Sequence, residues 1–214
     1  MIYSEQHTFS SASHAVTTHT METVNIGIII GSTREGRFSE YPAQWIMEHG
    51  KKYEELSFEC IDLRDHPLPF LEDAQNPSHK GGVYEDARVQ KWADTIAGCD
   101  GYIIVTPEYN RSTSGVLKNA LDHIYGEFSR KPVGFIAYGS VGGARAVEHL
   151  RLIAIEHHMA PIRTSVHIMA PWSLRTEDGS LQSGALSPYE KQADTMLTEL
   201  TWWTTTLRKG RIEK

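Results

Sequence analysis

The stretch VNIGIIIGSTREGRFS, residues 24–39, decides the fold prediction. Its first part, Val24 to Ile30, is a short and continuous run of mostly β-branched residues, which is typical of a strand buried on both faces of a sheet. Its second part contains glycine and hydroxyl residues and ends at Ser39, a favourable helix N-cap, with Pro42 in the turn that follows. The stretch therefore predicts a buried strand, a glycine-containing loop and a helix, in that order.

The same alternation of apolar runs and amphipathic segments continues along the chain. Strands alternating with helices favour a parallel sheet covered by helices on both faces, and the chain is too short for an eight-stranded barrel. We therefore expect an α/β fold, a three-layer doubly wound sheet of five parallel strands in the flavodoxin-like order 2-1-3-4-5. The further strands are predicted at 58–61, 101–106, 133–138 and 162–168, and the further helices at 84–97, 114–124, 142–157 and around 196–207.

Composition and charge exclude several classes of protein. The chain has 214 residues and a formal net charge of -6, which counts against a nucleic-acid-binding surface, since that needs a basic face. No apolar run approaches the ~18 residues of a membrane span. Cys60 and Cys99 are too few for a disulfide framework, and we expect both to be buried in a protein of the reducing cytoplasm. Residues 1–23 are rich in Ser, Thr and His, which predicts a disordered or loosely packed N-terminal arm before a domain at 24–214.

The loop after the first strand, residues 31–39, is the first candidate binding element. Ligands of open α/β sheets bind at the carboxyl ends of the strands, near the point where the strand order reverses. Glycine, the hydroxyl groups and a helix N-terminus suit a phosphate, and Arg34 or Arg37 adds a positive charge. The GxxxxG spacing is not that of a nucleotide-triphosphate loop, because Arg37 and Phe38 stand where Lys and Ser/Thr are required. The GxGxxG dinucleotide motif is absent as well.

Two further loops are predicted at the same edge of the sheet. The loop after the third strand is TPEYN, residues 106–110, in which Pro107 and Tyr109 form a stiff wall, while Glu108 is more typical of a structural carboxylate than of a general acid or base. The loop after the fourth strand is YGSVGGAR, residues 138–145, whose glycines allow a ligand to approach the backbone closely. A phosphate cradle, a rigid wall and a glycine floor together suit a mononucleotide with a large planar ring.

These segments resemble the NADPH-dependent FMN reductase family. The resemblance rests on GSTREGRFS (31–39), DLRDHPLPFLED (62–73), TPEYNRSTSGVLKNALDHIY (106–125) and YGSVGGARAVEHLR (138–151), and it covers roughly residues 24–170. It implies a flavodoxin-like flavoprotein with non-covalent FMN, a homodimer or homotetramer, and NADPH or NADH as co-substrate. The reaction it implies is hydride transfer through FMN to a small acceptor, namely a quinone, a flavin, an azo or nitro compound, or a metal oxyanion.

The resemblance also implies which residues bind the cofactor. No side chain is expected to act as a catalytic acid or base, and no metal site is expected. Around the phosphate the family pattern places Ser32, Arg34, Phe38 and Ser39, following Gly31; along the ring and ribityl chain it places Pro107, Glu108, Tyr109 and Asn110; and at the other edge of the ring it places Tyr138, Gly139, Ser140, Gly142 and Gly143.

Two other functions share the same fold and cofactor. A flavodoxin-type electron carrier would bind FMN without turning over a nicotinamide, and an FMN-binding redox sensor would bind a partner protein, for example through the 62–80 loop or the Trp202-Trp203 pair. Reduction by NADPH separates the enzyme from the carrier, and partner binding without steady-state NADPH consumption would indicate the sensor. The segment 170–188 lies outside the family pattern.

Overall fold

A computed structural model describes residues 23–213. The predicted arm at 1–23 therefore lies outside the described residues, apart from Thr23. Five strands alternate with five helices, and short 3-10 turns occur in the connections. The strands are β1 (Val24–Ile30), β2 (Leu56–Asp62), β3 (Gly101–Pro107), β4 (Pro132–Gly139) and β5 (Ala160–Met169), and the helices are α1 (Glu40–Gly50), α2 (Ala87–Ala97), α3 (Gly115–Asp122), α4 (Ala144–Glu156) and α5 (Glu190–Ile212).

All strand pairs are parallel, and the sheet order is β2-β1-β3-β4-β5. The predicted α/β fold and strand order are therefore confirmed. The side chains of β1 are buried on both faces of the sheet, as its continuous apolar run predicts. Ile28 belongs to the apolar cluster that includes Met196 of α5, and Ile29 belongs to the cluster on the opposite face, which includes Trp92 of α2. Both clusters exclude water, and their burial is the main favourable term in folding.

The sequence prediction fails for one cysteine. Cys99 is buried as expected, but Cys60 is exposed. Cys60 lies on β2, which is an edge strand of the sheet and alternates irregularly between buried and exposed positions. An apolar neighbourhood in the sequence does not by itself bury a residue of an edge strand, because such a strand has a neighbouring strand on one side only. Among residues 23–213, no helix is both long and apolar enough to cross a membrane.

Candidate functional site

A cleft of about 410 Å³ opens at the carboxyl edge of the sheet. Four loops line it, namely those after β1, β3, β4 and β5. The strand order reverses between β1 and β3, so loops from both sides of the reversal contribute to the cleft. This is the location at which open α/β sheets bind ligands. The lining residues are Arg34, Gly36 and Phe38 after β1, Pro107, Glu108 and Tyr109 at the end of β3, Tyr138, Gly139 and Ser140 at the end of β4, and Pro171, Trp172 and Arg175 after β5.

The loop after β1 is fixed to the neighbouring strand β3. The backbone N–H of Gly31 donates to the carbonyl oxygen of Val105 at 2.8 Å. The hydroxyl of Ser32, which is fully buried, lies 3.0 Å from the hydroxyl of Tyr109, and either group can donate. These two bonds connect the predicted phosphate loop to the predicted ring wall, so the two elements keep a constant spacing without a ligand.

Ser39 provides the most direct sign of a missing polar partner. It precedes the first residue of α1 and makes no side-chain cap bond, although the residue is fully buried. Among residues 23–213, its hydroxyl completes no hydrogen bond, and neither does the buried hydroxyl of Tyr138, which lies close to Ser39. Burial raises the pKa of Tyr138 to about 12, so this phenol stays protonated and able to donate. A buried hydroxyl without a partner costs free energy, and an anion at the start of α1 would satisfy it.

The two arginines of the glycine loop have different environments. Arg34 is exposed and lines the cleft, with its guanidinium 5.5 Å from the centre of the Tyr109 ring. Arg37 points away from the cleft and is buried, where it pairs with both carboxylate oxygens of Asp62 and donates to the carbonyl oxygen of Ser32. The structure therefore leaves Arg34 as the arginine of this loop that can reach a ligand, and gives Arg37 a supporting position.

A second arginine supports the loop from outside. Arg64, from the turn after β2, donates to the carbonyl oxygens of Thr33 and Arg34 and to the carboxylate of Glu40. Together with Arg37 it occupies three successive carbonyl groups, those of residues 32–34. These backbone acceptors are thus bound by arginines of the protein itself. The N–H and hydroxyl donors of the loop are then the groups left to bind an anion.

The wall after β3 continues into a tight hairpin. Tyr109 and Ser112 exchange backbone hydrogen bonds of 2.9 and 3.1 Å. The two residues between them, Asn110 and Arg111, have φ angles of 49° and 71°, as a two-residue hairpin turn of the primed type requires. Asn110 therefore lies at an exposed tip and does not line the cleft, while Pro107 and Tyr109 do.

Glu108 is engaged by the protein itself. Its side chain is only 4% exposed and pairs with Arg145, whose backbone N–H and Nε donate to the two carboxylate oxygens at 3.0 and 2.6 Å. Burial opposes ionisation of this carboxyl, but the hydrogen bonds from Arg145 outweigh it and lower the pKa of Glu108. The carboxylate is therefore a cap for the first turn of α4. This placement agrees with the structural reading of Glu108 from the sequence.

The glycines after β4 form the floor behind the cleft. Gly142 and Gly143 have φ angles of 65° and 70°, in the left-handed region that favours glycine. A methyl group on Gly143 would lie 2.6 Å from Cβ of Ala137 and 2.8 Å from the backbone nitrogen of Tyr138. Both glycines are buried, so they position Gly139 and Ser140 at the cleft surface without lining it themselves.

Comparison with known proteins decides the family. Residues 24–172, most of the chain, match the family model of NADPH-dependent FMN reductases. The chain belongs to this family. An NAD(P)H-dependent FMN reductase of Schizosaccharomyces pombe is 37% identical over 132 residues, which are 62% of this chain and 66% of the relative. An FMN-dependent NADPH-azoreductase of Staphylococcus saprophyticus is 30% identical over 153 residues, 71% of this chain and 76% of the relative.

Solved structures agree with the fold of this reductase. The flavoenzyme NAD(P)H:(acceptor) oxidoreductase FerB from Paracoccus denitrificans superposes with a TM-score of 0.64 at 22% identity, covering 83% of this chain and 97% of that one. The resemblance stated from the sequence is confirmed, and the chain is an FMN-dependent NAD(P)H oxidoreductase. The alternatives of an electron carrier or a redox sensor are not favoured, because the family and the curated relatives are reductases.

The reductase's cleft also contains residues that sequence reasoning missed. Gly36 lines the cleft although it carries no polar side chain that would mark it as a ligand contact. Pro171, Trp172 and Arg175 line the cleft, although the sequence motifs leave the whole segment 170–188 outside the family pattern; the family model extends to residue 172, so of these three only Arg175 lies beyond it. One sequence signal does indicate these three residues, because this segment follows β5 and must start at the same sheet edge as the other three loops.

Of the predicted residues, Gly31, Ser32, Ser39, Gly142 and Gly143 lie behind the cleft surface. No cluster of three or more His, Cys, Asp or Glu side chains suited to a metal ion occurs within residues 23–213.

Proposed function

We propose that this reductase holds FMN non-covalently in the cleft, receives reducing equivalents from NADPH or NADH, and delivers them to a small organic or inorganic acceptor. Hydride transfer from the nicotinamide to an acceptor by way of the isoalloxazine ring is the chemistry that FMN supplies when bound. The observation that carries the proposal is the unpartnered buried hydroxyl of Ser39 at the first turn of α1. We further propose that residues 24–214 act as one FMN-binding domain.

The phosphate end of the site is assigned to the loop after β1. Ser39 offers a buried donor, the N-terminus of α1 offers the positive end of its dipole, and Arg34 offers a mobile charge at the surface. Gly31 and Ser32 hold the loop against β3, and Phe38 covers the phenol ring of Tyr138, with ring centres 5.2 Å apart. These residues suit a single phosphate group better than a triphosphate.

The ring end of the site is assigned to the loops after β3 and β4. Pro107 and Tyr109 present a rigid surface. Asn110 lies in the turn of the hairpin that follows this surface. Tyr138, Gly139 and Ser140 continue this surface on the neighbouring strand, since Tyr138 pairs with Pro107 and its carbonyl oxygen accepts from the backbone N–H of Glu108 at 2.9 Å. We assign no side chain as a general acid or base. The nearest buried carboxylate, that of Glu108, is already ion-paired with Arg145.

Replacing Ser39 by alanine is expected to raise the Kd for FMN about ten- to hundredfold. A hydrogen bond from a buried hydroxyl to a charged phosphate is worth about 1.5–3 kcal/mol. Folding stability is expected to change little, because the hydroxyl makes no bond in the free protein. Titration of the flavin-free protein with FMN, followed by flavin fluorescence, measures the effect.

The matched control for this variant is Ser57→Ala. Ser57 is exposed on the edge strand β2 and pairs with Asn25 at the start of β1, whereas the loop follows the end of β1. Equal FMN affinities for wild type, Ser39→Ala and Ser57→Ala would contradict the assignment of the phosphate to Ser39.

We also propose that the reductase forms a homodimer or homotetramer through α4. Leu152 and Ile155 are 69% and 61% exposed and stand three positions apart, so they share one side of the helix. The recess beside them is lined by Leu152, Ile153 and His149 of α4, by residues 112–115 leading into α3, and by Lys118 of α3. Apolar side chains of this size on one helix face are typical of a surface that another chain covers. The net charge of -6 supports the proposal that no nucleic acid is bound. The two free cysteines, Cys60 and Cys99, support the proposal that the protein acts in the reducing cytoplasm.

Replacing Leu152 by glutamate is expected to shift the protein to the monomer, since a carboxylate would be desolvated in the contact between copies. Size-exclusion chromatography with light scattering gives the mass. Ile212→Glu is the matched control, because Ile212 is 67% exposed but lies at the end of α5. Equal masses for wild type and both variants would contradict the α4 assignment.

A further inference from the structure

The segment from Ala170 to Gln182 crosses the molecule from the end of β5 to the start of α1. At its beginning, the backbone N–H of Ala170 donates to the carbonyl oxygen of Gly139 at 2.9 Å. Further along, an isolated bridge pairs Arg175 with Leu181, and the hydroxyl of Tyr41 on α1 donates to the carbonyl oxygen of Gly179 at 2.9 Å. The segment is thus attached at both ends of its path across the cleft.

Arg175 fixes this segment to the glycine loop. Its guanidinium lies 5.7 Å from the centre of the Phe38 ring and 5.5 Å from that of Tyr41, and it donates to the carbonyl oxygen of Gly36 at 2.9 Å. Two cation–π contacts and a hydrogen bond hold a guanidinium in one orientation. Arg175 is therefore a positioning residue, and the part of the segment that precedes it is presented to the cleft in a defined place.

Trp172 is the large side chain presented there. It lines the cleft, yet 65% of it is exposed, while its neighbour Pro171 is buried. Within residues 23–213, Trp172 makes no ring contact with another aromatic side chain. A tryptophan that is held in place and has most of its ring surface free can stack on a flat, apolar ligand at little entropic cost.

The order of the strands places Trp172 opposite the tyrosine wall. β4 lies between β3 and β5 in the sheet, so the loop after β4 is flanked by Tyr109 on one side and by Trp172 on the other. The cleft is therefore bounded by an aromatic side chain on each side of the glycine floor.

We propose that Trp172 determines the preference of the reductase for planar aromatic acceptors, by stacking on the acceptor as it enters the cleft. This inference rests on the proposed function and selects quinones and azo-aromatic compounds over non-planar, hydrated inorganic ions such as metal oxyanions and ferricyanide, which gain nothing from an indole face. One NADPH and one proton reduce one quinone to the hydroquinone, and one NADPH reduces two ferricyanide ions with release of one proton. The same loaded enzyme can therefore be compared with a planar and a non-planar acceptor.

The experiment compares Trp172→Ala with Trp202→Ala in the FMN-loaded protein. Trp202 is a matched control, since it is 61% exposed but lies on α5 and not in the cleft. In Trp172→Ala, the ratio of kcat/KM for a naphthoquinone to kcat/KM for ferricyanide is expected to fall about three- to tenfold, the range of one aromatic stacking contact. Trp172→Phe is expected to restore most of the ratio, and Trp202→Ala is expected to leave it as in the wild type.

A binding measurement provides a readout independent of turnover. The Kd of 2-naphthol, a planar aromatic that NADPH does not reduce, is expected to rise about three- to tenfold in Trp172→Ala by isothermal titration calorimetry. Equal Kd values and equal acceptor ratios for the two tryptophan variants would overturn the assignment of Trp172. A wild-type protein that binds FMN and 2-naphthol but reduces neither acceptor with NADPH would instead overturn the proposed function, and the 2-naphthol result would still support the stacking site.

Discussion

Replacing Arg37 by alanine is expected to lower the free energy of unfolding by about 3 kcal/mol, which corresponds to a fall in Tm of roughly 6–12 °C for a chain of this size. The Arg37 side chain is 2% exposed, and it is bound by Asp62, Glu40 and the carbonyl oxygen of Ser32. Its removal leaves these acceptors without their donor in a largely dry place. Thermal and urea unfolding measure the change.

The same variant is expected to bind FMN more weakly. Arg37 holds the Ser32 carbonyl, and Ser32 in turn contacts Tyr109 through its hydroxyl. Without the guanidinium, the loop loses a fixed point on the side away from the cleft, so ordering it around a phosphate costs additional entropy. FMN titration of the folded variant at low temperature separates this effect from unfolding.

Arg88→Ala is the control for Arg37→Ala. Arg88 pairs with Asp86, but its side chain is 53% exposed, and exposed ion pairs contribute about 0–1 kcal/mol. A loss of stability in Arg37→Ala that is no larger than in Arg88→Ala would contradict a supporting role for the buried pair.

The ion pair of Arg37 with Asp62 also predicts that the stability of the protein depends on pH. Burial opposes ionisation of Asp62, but hydrogen bonds from the Arg37 side chain and from the Arg64 backbone outweigh it and lower the pKa of this carboxyl below 3.8. A carboxyl with a lowered pKa in the folded state stabilises the protein above its unfolded pKa, and this contribution is lost as the pH falls through the folded value. The stability difference between wild type and Arg37→Ala is therefore expected to narrow below about pH 4. A difference that widens on acidification would contradict the ion-pair account.

The second large effect is expected for Gly143→Ala, which should lose roughly 2–5 kcal/mol of stability and most of its affinity for FMN. Gly143 has a φ angle of 70°, and a Cβ atom there would lie 2.8 Å from the backbone nitrogen of Tyr138. Tyr138 is paired with strands on both sides, so its backbone nitrogen cannot move away as a side chain can, and β4 or the first turn of α4 has to shift. Either shift displaces the Gly139-Ser140 surface of the cleft.

Gly36→Ala separates strain from crowding. Gly36 has a similar φ angle of 60°, but nothing lies within 4 Å of a Cβ atom built on it. The Gly36→Ala variant is expected to lose only about 1–2 kcal/mol of folding stability, which is the cost of holding an alanine in the left-handed conformation. Unfolding curves for the two variants give the comparison, and equal losses would show that crowding behind the floor contributes nothing.

The sheet could be predicted from the sequence because its signals are local. A run such as Val24–Ile30 identifies a strand without knowledge of its neighbours, and the alternation of strands and helices then leaves few possible orders. The three glycine-containing loops followed from the same reasoning, since parallel strands end at one edge. The exposure of Cys60 did not follow, because it depends on which strand lies at the edge and on what covers it.

The individual roles within the candidate site were harder to predict. Arg34 and Arg37 are the same residue type in the same loop, so the sequence does not distinguish them. The structure distinguishes them, because Asp62 at the end of β2 pairs with Arg37 in a buried position. Glu108 could be assigned to α4 only once Arg145 was seen beside it. Trp172 and Arg175 carry no motif, and they reach the cleft through contacts with Gly36 and Tyr41 that lie more than a hundred residues away in the chain. Long-range contacts of this kind leave no periodic trace in the sequence.

The most direct test of the central claim is the visible absorbance spectrum of the FMN-loaded protein under anaerobic conditions, before and after addition of NADPH. The account predicts that FMN binds, that its visible absorbance is bleached by stoichiometric NADPH, and that addition of a quinone restores it. A protein that binds FMN but keeps its full absorbance in excess NADPH and NADH would contradict the proposed reductase, and would instead match a flavodoxin-type electron carrier.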